Sequence, residues 1–175
     1  MLLEKTKIYG VDGVGGIGTA LLRTDSAVGL SCEIGADEIR SDFNDCYPWC
    51  EMRETVDDVG NVFVLIPKFY ARITENYDGT YQYQISGTRY SGFTTLFIDG
   101  AGEELDYILV GKYEGSGSAA RVYSRAGQTA LVNVNLGAFR DGCRANGEGY
   151  QQYDILIDMI IKLLFTVEFA TTNAR

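Results

Sequence analysis

Val62-Phe63-Val64-Leu65-Ile66-Pro67-Lys68-Phe69-Tyr70-Ala71-Arg72-Ile73 decides the fold class. Aromatic and β-branched residues dominate it, which suits a half-buried pleated surface. Pro67 has no N–H to give to a ladder, so it predicts a bulge, a break or an edge between two strand pieces. Asp78-Gly79 follows as a hairpin turn signal. Beyond it Tyr81-Gln82-Tyr83-Gln84-Ile85 alternates with period two. Together these predict a hairpin of 69–76 against 81–86.

Further along, Tyr107-Ile108-Leu109-Val110-Gly111-Lys112-Tyr113 is nearly continuous in apolar residues and predicts a short strand buried on both faces. Residues 114–128 are rich in Gly, Ser and Arg and read as a loop. Two helices are expected after it. The first covers about Leu136 to Ala145, with Asn135 as N-cap and Gly147 just past its end. The second covers about Gln152 to Thr171. Its polar residues Asp154, Asp158, Lys162 and Thr166 form one narrow stripe, so most of its sides should be buried. Upstream, residues 1–60 show weak apolar periodicity and many turn-formers. They read as a loop-rich segment packed on, or leading into, an α+β domain of residues 61–175. Strands separated from helices give an α+β chain, an antiparallel hairpin or sheet followed by two C-terminal helices.

Composition narrows the chemistry. The 175 residues are 46% apolar and 22% charged, ordinary for a folded domain, and carry a net charge of −9. Such a surface is repelled by phosphate backbones and anionic lipids, which argues against nucleic-acid binding. No run of about 18 apolar residues is present, so no membrane insertion is expected, and no secretory leader is read at the N-terminus. The chain has no histidine. That removes Ser–His and Cys–His nucleophiles and imidazole-bound zinc. Cys32, Cys46, Cys50 and Cys143 offer one close pair, too widely spaced for a four-cysteine zinc site, and are expected as reduced thiols. No cofactor or metal is expected.

Two motifs invite an enzymatic or nucleotide reading. Gly13-Val14-Gly15-Gly16-Ile17-Gly18 fits G-x-G-x-x-G. The preceding Lys5-Thr6-Lys7-Ile8-Tyr9 is too polar and short for a central parallel strand, and no helix is sustained after the glycines, so a turn-rich loop is expected. Glu103-Glu104-Leu105-Asp106 offers carboxylates of the kind a glycoside hydrolase uses, but also reads as a solvated loop before a strand. The 12 tyrosines suit strands, and also suit recognition surfaces and sugar stacking.

Several segments resemble, in order, a family of phage and prophage tail-associated structural proteins. They are Tyr9-Gly10-Val11-Asp12, Leu22 to Gly29, Phe43-Asn44-Asp45, Tyr47-Pro48-Trp49-Cys50-Glu51-Met52 and Ile66-Pro67-Lys68-Phe69-Tyr70. Ile85-Ser86, Gly92-Phe93, Val110 to Glu114, Gln151 to Asp154 and Glu168 to Asn173 continue the series. The later part also resembles a C-type-lectin-like fold of the formylglycine-generating type, where such a strand precedes two helices and a Glu-aromatic-Ala signature like Glu168-Phe169-Ala170. The resemblance implies a non-enzymatic virion protein, made in the bacterial host cytoplasm, that recognises a host surface glycan or protein. It further implies a homo-oligomer, often a trimer, among other tail proteins. Tyr47, Trp49, Tyr90, Phe93 and Tyr113 match family positions, and Trp49, Tyr90, Phe93 and Tyr113 are the ligand-binding candidates. The closing strands of that fold usually follow the second helix, so the resemblance implies either a fragment or a truncated core whose sheet a partner chain completes. The alternatives are a carbohydrate-active enzyme using Asp and Glu, and a small nucleotide-binding module at the glycines.

Overall fold

A computed structural model describes residues 2–16 and 21–173. In chain order the elements are α1 (Leu2–Lys5), β1 (Ile8–Val14), β2 (Leu22–Asp25), β3 (Cys32–Ile34), β4 (Ile39–Ser41), β5 (Arg53–Val56), β6 (Val62–Pro67), β7 (Tyr70–Glu75), β8 (Tyr81–Ser86), β9 (Tyr107–Gly111), β10 (Gly115–Ser118), β11 (Arg121–Ser124), α2 (Leu136–Arg144) and α3 (Ile155–Phe169). The class is α+β, with mostly antiparallel sheets and two C-terminal helices. The chain divides into two units. One comprises Met1–Glu51, Pro67–Tyr107 and Leu156–Arg175, the other Met52–Ile66 and Ile108–Ile155.

The first unit is built on a four-stranded sheet of order β2-β1-β8-β7. The expected hairpin is its β7–β8 pair, antiparallel from Tyr70↔Ser86 to Glu75↔Tyr81. Its turn uses Gly79 at φ 80°, where a side chain would be strained, and Asp78 Oδ1 accepts from Thr80 N at 3.0 Å. β1, inside the irregular-looking N-terminal stretch, pairs antiparallel with both β2 and β8. Its alternation was masked by Gly10, Asp12 and Gly13, yet Tyr9, Val11 and Val14 all point to the core. There Tyr9, Phe43 and Trp49 form an aromatic cluster, with Phe43 and Trp49 centroids 4.7 Å apart. α3 buries Ile160, Leu163, Leu164 and Val167. Arg23 ties its C-terminus down, with Nη1 donating to Val167 O and Nη2 to Glu168 O, both at 2.6 Å. These are carbonyls the helix itself leaves unpaired, and a cation there suits the helix dipole. α3 is shorter than the expected span by three residues at its start and two at its end. Asp158 and Lys162 form the anticipated i, i+4 pair at 2.5 Å.

The second unit holds the three-stranded sheet β5-β6-β9 and the hairpin β10–β11. β6 stops at Pro67 and the next strand belongs to another sheet, the break that Pro67 predicts. Two expectations are corrected. β9 is an edge strand, with Tyr107 51% and Leu109 43% exposed, and is not buried on both faces. A continuous apolar run cannot by itself tell an edge from a centre. Residues 115–124 form a hairpin, not a loop. Here Gly and Ser serve close packing: a Cβ on Gly115 would lie 2.7 Å from Phe139, and one on Gly142 would lie 2.9 Å from Val122. α2 therefore sits tightly on β11, and Asn135 Oδ1 caps it from Ala138 N at 2.9 Å.

Candidate functional site

Antiparallel sheets commonly keep one face for the core and one for water. In the first unit Tyr9, Val11, Ala71 and Ile85 take the core face. The opposite face carries one cross-strand row, Arg72↔Gln84↔Gly10↔Thr24, running through all four strands. Arg72 Nε and Nη2 donate to Gln84 Oε1 at 2.9 and 2.7 Å. Gln84 Nε2 donates to Asp25 Oδ2 at 2.7 Å, reaching over the strand between them. Thr24 Oγ1 donates to the same Asp25 oxygen at 2.8 Å, and Gln82 Nε2 donates to Thr24 Oγ1 at 3.4 Å.

Gly10 makes this reach sterically available. A Cβ there would lie 2.4 Å from Thr24 Oγ1 and 2.8 Å from Asp25 Oδ2. Asp25 sits at φ 55°, a conformation that Asp tolerates better than most residues. The Gln84 amide is only 3% exposed and both its ends are bonded, so its orientation is fixed. The row thus has a donor end at Arg72 and an acceptor end at the exposed Asp25.

An aromatic edge adjoins the donor end. Thr94 pairs with Ala71 along the outer side of β7 through two backbone bonds of 2.7 and 2.9 Å. Just before it Tyr90-Ser91-Gly92-Phe93 makes a tight turn, with Phe93 N donating to Tyr90 O at 3.0 Å. Gly92 at φ 79° supplies the positive φ this turn requires. The turn folds Tyr90 edge-on to Phe93, centroids 6.0 Å apart, and the Arg72 guanidinium lies 5.0 Å over the Phe93 ring. Tyr90 stays 37% exposed while its hydroxyl donates to Thr6 O at 2.6 Å.

The structure therefore brings together Tyr90 and Phe93 of the four candidates. Trp49 is 8% exposed inside the aromatic core, its indole N–H without a hydrogen-bond partner among the described residues. Tyr113 belongs to the second unit, where its N–H donates to Ser124 Oγ at 2.9 Å. Arg72, Gln84, Gln82, Thr24 and Asp25 were not singled out from the sequence. Gln82 and Gln84 had a signal in the polar half of the 81–85 alternation, which marks one face of the strand but not which residues on it join hands; Thr24, Asp25 and Arg72 had none.

The motifs with alternative readings are placed as follows. The glycine string begins within the antiparallel strand β1, at Gly13 and Val14, and β2 comes after it in the chain; Ile17 and Gly18 lie outside the described residues. Glu104 pairs with Arg89 and with Lys68 (3.6 Å), and Asp106 with Lys68 at 3.1 Å, so these carboxylates face cations. All four cysteines are free thiols, and burial pushes each of them up from its ordinary value. Among the described residues no three Cys, Asp or Glu side chains converge to hold a metal, and no helix is long and apolar enough to cross a membrane. No protein-family model, curated protein or solved structure matches the chain.

Proposed function

We propose that this chain is a non-enzymatic recognition protein of a phage or prophage tail, with a C-type-lectin-like core, that binds a host surface ligand. The observation that carries the reading is the pre-ordered polar row on the open face of the first unit, with an aromatic ring at its edge. Pre-ordered side chains lose little entropy on binding, and a rigid sheet holds them in place. Tyrosine adds flat contact area at low entropic cost. The family resemblance supplies the setting: virion location, other tail proteins as neighbours, and several copies per particle. Multiple copies raise avidity, so each site needs only modest affinity.

The test is adsorption of the purified protein to a panel of bacterial cells, with reducing-end release from their polysaccharides followed in parallel. Saturable adsorption to some cells, without release of new reducing ends, is expected. Adsorption to none, or release of reducing ends by the pure protein, overturns the reading.

A further inference from the structure

We infer that the polar row and the Tyr90 ring form a binding site for a neutral, hydroxyl-rich oligosaccharide; this rests on the recognition reading above. Strands in a sheet lie about 4.8 Å apart, so the row from β7 to β2 spans about 14 Å, the reach of a short oligosaccharide and more than one sugar ring. Its groups match what sugar hydroxyls need. Asp25 offers its Oδ1 to ligand hydroxyls, since Oδ2 already accepts from Gln84 and Thr24; Gln82 can donate and accept, and Arg72 donates. Tyr90 offers a half-exposed ring against which the apolar face of a sugar can lie.

Charge selects the ligand class. The chain carries −9 overall, and the exposed end of the row is a carboxylate, so an acidic polymer is repelled from it. An extended peptide would instead need strand-edge pairing, whereas this surface is a face with its side chains outward. Gln84, nearly closed off from solvent, acts as a positioning residue. It holds Asp25 and Arg72 in register but does not itself reach the ligand.

Titration of the intact protein with neutral trisaccharides (gluco-, manno-, galacto- and rhamno-configured) and with acidic oligogalacturonate and oligosialate tests this, read by amide chemical shifts and calorimetry. At least one neutral probe should bind, shifting the amides of Thr24, Asp25, Arg72, Gln82 and Tyr90. Asp25→Asn should weaken it by about tenfold or more, the size of a hydrogen bond to a charged group. Tyr90→Phe keeps the ring and should bind as the native protein does, whereas Tyr90→Leu should weaken binding. Tyr77→Ala, at the exposed hairpin turn, should change nothing. Gln84→Leu should weaken binding too; if it unfolds the protein, the exposed variants still decide the matter. Acidic probes binding in place of neutral ones overturns the inference. So does binding indifferent to Asp25 and Tyr90, or no binding by any probe. Cell adsorption that survives Asp25→Asn and Tyr90→Leu, or that protease treatment of the cells abolishes, sinks the sugar site and leaves the recognition reading standing.

Discussion

At the scale of single residues, Gly10 has the sharpest consequence. Its missing Cβ leaves room for Thr24 and Asp25. Gly10→Ala should therefore cost about 1–3 kcal/mol, the range for overfilling a packed site. Gly100→Ala, where nothing lies within 4 Å, is the control and should be close to neutral in thermal melts. Asp57 predicts a pH effect in the second unit. Burial raises its pKa, but hydrogen bonds from the Tyr150 hydroxyl, the Asn61 side chain, and the Asn61 and Val59 backbone outweigh that and hold it low. A depressed folded-state pKa stabilises above the unfolded value of about 3.9 and is lost as pH falls through the folded value. Denaturant unfolding should show native protein more stable than Asp57→Asn at neutral pH, the gap closing below about pH 4. A gap constant with pH would refute the assignment.

At the scale of elements, two helix ends are tied in different ways. Asn135→Ala removes the cap of α2 and should cost about 1 kcal/mol, whereas Asn135→Asp, another good cap, should cost much less. Arg23→Ala frees two carbonyls at the end of α3, and faster amide exchange through Phe165–Phe169 than in the native protein is the expected result. How legible such features are from sequence depends on whether their cause is local. The β7–β8 hairpin was readable because Asp78-Gly79 and the 81–85 alternation act over a few residues. The α2 cap was readable for the same reason. β1 was not, because its pairing partners lie at 22–25 and 81–86, and its own Gly10 and Asp12 interrupt the pattern. β10 and β11 were hidden because small residues needed for packing against α2 look like loop composition. Two residues of the candidate surface, Tyr90 and Phe93, were named from resemblance. The polar row was not, because its members meet only when four strands align in register.

At the scale of the whole molecule, charge and assembly give the remaining expectations. The sequence pI is near 4.5, so repulsion between copies is weakest there and association should peak as pH approaches it. At neutral pH, sedimentation should report a multiple of 19.3 kDa, with a trimer favoured by the tail-protein resemblance; a strict monomer at micromolar concentration and above would contradict the proposed assembly. The proposed function places recognition on the open sheet face of the first unit. A map of amide shifts on adding cell-surface polysaccharide from an adsorbing bacterium tests it most directly. Perturbations should cluster at Thr24, Asp25, Arg72, Gln82 and Tyr90; perturbations confined to the second unit, or spread without a centre, would contradict that placement.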